Sequence, residues 1–128
     1  MQIRHVMLKV DDEDKALAFY TKVLGFVKTR GAGALLSVCS PEGPKGVELV
    51  LESRSAAPAR ASQKALYDAR YPAAILSTNN LGLEYRRLKK LGVKFRGTPR
   101  KRVSSRFVFF DDTCGNFIVL LQQKQKRR

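Results

Sequence analysis

The sequence predicts an α+β protein built from two βαβββ units, and three observations carry that expectation. A strand followed by a capped helix occupies Ile3 to Phe26 (IRHVMLKVDDEDKALAFYTKVLGF), and a degenerate copy starts at Ala73 (AAILSTNNLGLEYRRLKKLGVKF). Strand-like segments follow each copy, so the chain reads as a duplication. The 128 residues, 44% of them hydrophobic, suffice for one domain with a real core.

Within Ile3 to Val10, residues Val6, Leu8 and Val10 alternate with Ile3, His5, Met7 and Lys9, the period-2 pattern of a strand with two unlike faces. His5, the only histidine, therefore shares a face with Lys9. Asp11 and Asp12 offer N-cap oxygens, Glu13 and Asp14 complement the helix dipole, and Ala16, Leu17, Tyr20, Val23 and Leu24 recur at helical spacing until Gly25. Val27 to Thr29, Leu35 to Cys39 and Val47 to Leu51 read as strands, the last two flanking the turn-rich Pro41 to Gly46. Ser53 to Ser62 has linker composition, and Gln63 to Arg70 predicts a short helix before Pro72. In the second unit the strand is Ala73 to Thr78, the cap Asn79 or Asn80, the helical run Leu81, Tyr85 and Leu88, and the stop Gly92. Phe107 to Phe110 is an aromatic strand, Asp111 to Asn116 a turn and Phe117 to Gln122 the closing strand. The expected modules span about residues 1–55 and 73–128, with the linker and short helix at about 53–72.

Charge is the unusual part of the composition. The formal net charge is +14, divided as +3 over residues 1–64 and +11 over residues 65–128. The basic clusters are Arg86, Arg87, Lys89 and Lys90 on the second helix, Arg96, Arg100, Lys101, Arg102 and Arg106 around the following turn, and Lys124, Lys126, Arg127 and Arg128 at the tail. Such a balance suits a solvated surface, or attracts anions or nucleic acid. No apolar run approaches the roughly 20 residues of a membrane span, and the N-terminus has no signal-peptide pattern, so a cytoplasmic chain with no membrane partner is expected. Cys39 and Cys114 are expected as free thiols. Gly31-Ala32-Gly33 reads as a turn rather than a phosphate loop, and the adjacent Asp111 and Asp112 point to opposite faces and do not form a dyad.

FYTKVLGF at 19–26, VELVLE at 47–52 and FFDDTCGNFIVLLQ at 109–122 resemble the vicinal oxygen chelate superfamily of glyoxalase I, bleomycin and fosfomycin resistance proteins and extradiol dioxygenases. The resemblance implies paired βαβββ modules curling mixed sheet around a cavity, and a homodimer. It does not fix function, since that scaffold hosts lyases, dioxygenases and metal-free binding proteins. The metalloenzymes take ligands from the first and last strands of each module. Here those places hold His5 and Glu48 in the first module, Ala73 and Val119 in the second. Two protein ligands fall short of the three or so that hold catalytic zinc or non-haem iron, so no cofactor is expected, with a weak divalent metal at His5 and Glu48 left open.

His5 and Glu48 are the candidate catalytic pair, both expected to face the cavity; a ligand-orienting or acid–base pair, a vestigial metal site and an ordinary polar pair remain open. The expected ligand is a small anion, because +14 repels cationic compounds and gathers anions. Lys9, by parity with His5, and Arg106, sharing a face with Val108 and Phe110, are the candidate anchors, with Val119 in the wall. A metal-dependent lyase or dioxygenase using His5 and Glu48 is the alternative, and nucleic-acid association through the basic second module a further one.

Overall fold

The computed structural model describes residues 1–29, 36–42, 46–53 and 57–123. The sequence readings on Gly31 to Gly33 and on the tail cations lie outside them, as do parts of the Pro41 to Gly46 turn and of the linker. β1 (His5–Val10) leads into α1 (Glu13–Ala18), followed by β2 (Val27–Lys28), β3 (Ser37–Cys39) and β4 (Glu48–Ser53). After α2 (Ala57–Asp68) come β5 (Pro72–Ser77), α3 (Leu81–Lys90), β6 (Lys94–Lys101), β7 (Ser105–Asp111) and β8 (Phe117–Gln123). The strands form two four-stranded sheets of the same topology, β1-β4-β3-β2 and β5-β8-β7-β6, and in each the first and last strands run parallel while the rest are antiparallel. That repeat is the duplication seen in the sequence.

The helices start where the caps place them. Asp12 accepts from the Lys15 amide at 3.1 Å and Asn80 from the Leu83 amide at 3.0 Å, each satisfying an orphan donor of the first turn. α1 widens at its end into a π-helical turn over Phe19–Val23, with the Leu24 amide reaching back to the Phe19 carbonyl at 3.0 Å. Gly25 and Gly92, at φ of 91° and 88°, end the two helical segments in the left-handed region.

The helix-side faces of both sheets drain into one core. Leu8, Val10 and Leu51 of the first sheet belong to one buried cluster with Val108, Phe110, Ile118 and Leu120 of the second, Ala16, Phe19 and Tyr20 of the first helical segment, and Leu81 and Leu88 of α3. Because side chains alternate across a strand, the opposite face of each sheet looks away from this core. Among the described residues the two mixed sheets are separate and not closed on each other, so each leaves one face open.

Two stretches differ from the sequence reading. α2 begins at Ala57, within the supposed linker, because Pro58 stands in the first turn where its missing amide costs nothing and alanines follow. Arg96, Arg100 and Lys101 lie on a strand, β6, rather than around a turn; a bulge between Arg96 and Arg100, with Gly97 at φ 80°, had broken its alternation.

Candidate functional site

β1 and β4 lie side by side in parallel register, and His5 stands directly opposite Glu48. Their side chains come together on the open face, with His5 Nε2 3.5 Å from Glu48 Oε2. The carboxylate is held from its other side: Thr29 Oγ1 donates to Oε1 at 2.6 Å and the fully buried Ser37 Oγ at 3.1 Å, and the two hydroxyls lie 2.9 Å apart. His5 Nε2 is buried and makes no hydrogen bond among the described residues. A buried polar nitrogen without a partner carries a desolvation penalty that a ligand's polar group would relieve.

One repeat further along the same face, Met7 stands 47% exposed opposite Val50, and beyond it Lys9 is paired with Glu52. Lys9 thus faces the same way as His5 but shares its charge with a carboxylate. Thr29 and Ser37 are the members that sequence reasoning missed, though Ser37 shares its parity with Cys39 and sits opposite Val50 in the ladder.

The open face of the second sheet is aromatic and cationic. Phe109 pairs with Val119 and Phe107 with Leu121, so these four side chains share that face with Arg96, which pairs with Phe109. Phe117 lies under the Arg96 guanidinium, 4.8 Å from the ring centroid, and is stacked by Tyr67 of α2 at 4.4 Å. Tyr67 donates to Asp111 Oδ2 at 2.5 Å, which lifts the Tyr67 hydroxyl pKa. Val108 and Phe110 lie on the other side: they pair with Leu120 and Ile118 and are buried in the core. They are therefore separated from Val119, and the wall expected from Val108, Phe110 and Val119 divides between two faces. Arg106 shares their parity but sits at the sheet end, exposed, opposite Lys101 and Gln122.

The two modules are joined by buried polar groups. The Asp112 carboxylate accepts from Tyr20 Oη at 2.7 Å, from the Cys114 amide at 2.7 Å, and from the Asn116 amide and side chain at 3.0 and 2.9 Å. Burial raises its pKa, and these hydrogen bonds oppose the rise. Gln63 Nε2 of α2 donates to the carbonyls of Lys9 and Cys114 at 2.9 and 3.1 Å. Cys39 and Cys114 are both free and buried, and burial pushes the Cys114 thiol up to about 12. A crevice of about 810 Å³ opens elsewhere, between Leu24 to Phe26 and the start of α3, and shares no residue with the His5–Glu48 group.

The sequence profile of the Glyoxalase/Bleomycin resistance protein/Dioxygenase superfamily matches residues 2–120. The chain belongs to that superfamily. The Bacillus subtilis (strain 168) protein YurT, itself uncharacterized, is 36% identical over 127 residues, covering 96% of this chain and 100% of its own. Among solved structures UcmS2 superposes with a TM-score of 0.81 at 28% identity, covering 94% of this chain and 97% of the other. TnmS3, an antibiotic-binding protein from Streptomyces sp. CB03234, shares the fold with a TM-score of 0.70 at 24% identity, covering 97% of each chain.

Superfamily membership raises the metal question, and the donors do not fit one. Aligned on the two caps, His5 corresponds to Ala73, and the ladder steps over Ala73, pairing Pro72 with Phe117 and Ala74 with Ile118. Since Val6 pairs with Leu49 as Ala74 pairs with Ile118, the counterpart of Glu48 is Phe117, not Val119, which stands one repeat further on. Where the first module has an imidazole and a carboxylate, the second has a methyl group and a phenyl ring held between Tyr67 and Arg96. Among the described residues no three His, Cys, Asp or Glu side chains converge. Nor is any described helix long and apolar enough to cross a membrane.

Proposed function

We propose that this superfamily member binds a small anionic molecule against its open sheet faces, with the His5 imidazole, held beside Glu48, making the polar contact, and that two copies pair to close the space. The observation carrying this reading is His5 Nε2, buried, without a hydrogen bond among the described residues, beside a carboxylate that two hydroxyls hold in place. Glu48 Oε2 stands 3.5 Å from Nε2, and the hydrogen bond that this nitrogen lacks among the described residues is completed by the ligand. Arg96 on the other sheet's open face supplies positive charge, Lys9 on the His5 face being paired with Glu52, and Val119 with Phe107 and Phe109 supplies apolar wall. A shared fold with TnmS3, whose name describes antibiotic binding, supports binding of a small molecule by this scaffold. The anion follows from the +14 net charge and from the Arg96 guanidinium, which has no carboxylate ion pair among the described residues. A metal-dependent lyase or dioxygenase asks more donors than His5 and Glu48 provide.

Thermal-shift screening at low salt tests the reading. Carboxylates and phosphates are expected to raise the Tm more than neutral or cationic compounds of equal size, and His5→Ala or Glu48→Ala to abolish the shift of the best hit. Equal shifts for all three classes, or a best hit indifferent to both variants, would overturn it.

A further inference from the structure

We propose that the outer corner of the second sheet, formed by β6, the turn after it and the start of β7, binds single-stranded nucleic acid. β6 is the edge strand of its sheet, so a polymer can reach it along its length. The segment between its first paired residues, Lys94 and Asp111, is longer than its counterpart between Val27 and Cys39 in the first module, and the added length is basic. Arg100, Lys101, Arg102 and Arg106 cluster there, all exposed. None has a carboxylate partner among the described residues.

Two features go beyond surface charge. Lys101 and Arg106 are direct cross-strand partners, and like charges at that separation destabilise a hairpin unless an anion lies between them. On the other face of the corner Arg100 pairs with Phe107, and the Arg102 guanidinium lies over the same ring, 5.6 Å from its centroid. Phe109 follows, 6.0 Å from Phe107, with Arg96 opposite it. Half-buried phenyl rings alternating with guanidiniums along one face provide stacking platforms beside phosphate contacts, the combination that recognises unpaired bases. A duplex hides its base faces and would use only the charges; a small anion would need one or two of them. The corner thus suits an extended single strand; it shares Phe107, Phe109 and Arg96 with the open face of the second sheet and takes nothing from His5 or Glu48.

The test is fluorescence anisotropy of the full chain with a labelled oligothymidylate of about 20 nucleotides, between about 50 and 200 mM salt. Saturable binding is expected, tighter than to a duplex of the same length. Replacing Arg100, Lys101, Arg102 and Arg106 by serine should weaken it at least about tenfold at low salt. It should also flatten the slope of log affinity against log salt by about 2–3, since each lost phosphate contact removes about 0.7. A control with Arg4, Lys22 and Lys28 changed to serine should stay within about twofold of the wild type. Phe107→Leu should weaken binding several-fold with the salt slope unchanged, because it removes stacking and no charge. Circular dichroism melting monitors folding, and if the quadruple variant does not fold, Lys101→Ser alone should still lower the slope by about 0.7. No saturable binding, equal losses in the corner and control variants, duplex bound as tightly as single strand, or binding to anionic phospholipid vesicles in place of the oligonucleotide would each overturn the proposal.

Discussion

Tyr20 and Asp112 lie 92 residues apart and share one buried hydrogen bond, so this contact reports on the seam between the modules. Tyr20→Phe should cost about 1.5–3 kcal/mol at neutral pH, the range for a hydrogen bond to a charged group, as read from urea unfolding; a cost below about 0.5 kcal/mol would remove the contact from the account. Burial raises the Asp112 pKa, so the folded state holds this proton more firmly than the unfolded one. The stability linked to it is therefore complete below the ordinary carboxylate range, about 3.9, and is lost as pH rises through the folded value. The stability gap between wild type and Asp112→Asn should accordingly narrow as pH rises from about 4; a gap that widens contradicts the sign. That His5 and Glu48 each face the open side was legible because period-2 parity works within a strand, and the parallel register of β1 and β4 makes them neighbours. That Val119 lies on the opposite face from Val108 and Phe110 was not legible: parity does not carry across the turn at Asp112 to Asn116, whose length sets which residues of β8 oppose β7. The counterpart of Glu48 was missed by two residues for a related reason, since nothing local announces that the ladder skips Ala73.

At the scale of elements, helices whose ends are written in side chains were the easy ones. Asp12 and Asn80 cap where Asx residues precede an apolar period, and Asn80→Ala should cost about 1 kcal/mol, measured by thermal or urea unfolding. α2 was half hidden because serine, alanine, proline and arginine suit a linker as well as a helix, and only its packing, Tyr67 on Phe117 and Gln63 at the Lys9 and Cys114 carbonyls, decides. β6 was hidden by its own irregularity, glycine and proline inside a strand with basic side chains on both faces. The turn between β7 and β8 carries a sharper test. Gly115 has φ +95°, and a Cβ there would sit 2.7 Å from Gln63 Nε2. Gly115→Ala should destabilise by about 1–3 kcal/mol through backbone strain and displace the Gln63 amide as well. A variant that melts with the wild type would show that this approach is not held in solution.

The whole molecule has a closed inside and two unclosed outsides. Open sheet faces bearing Met7 (47% exposed) and Ile75 (64% exposed) are surfaces that a second copy would cover. Light scattering at micromolar concentration is therefore expected to give twice the 14.4 kDa chain mass; a monomer throughout would leave the ligand only a one-sided surface. The shared core has its own consequence. Neither module contains the apolar surface that finishes its packing, since Tyr20 meets Asp112, Phe19 meets Phe110, and both modules contribute to the one buried cluster. A chain severed between Ser53 and Ala57 should yield two fragments that are each unable to fold alone yet reassemble when mixed, as two halves of a once-separate pair would. The peptide bond between them then acts as a tether, raising the local concentration of one half around the other, and fragment complementation becomes a direct measure of how strongly the core alone holds them.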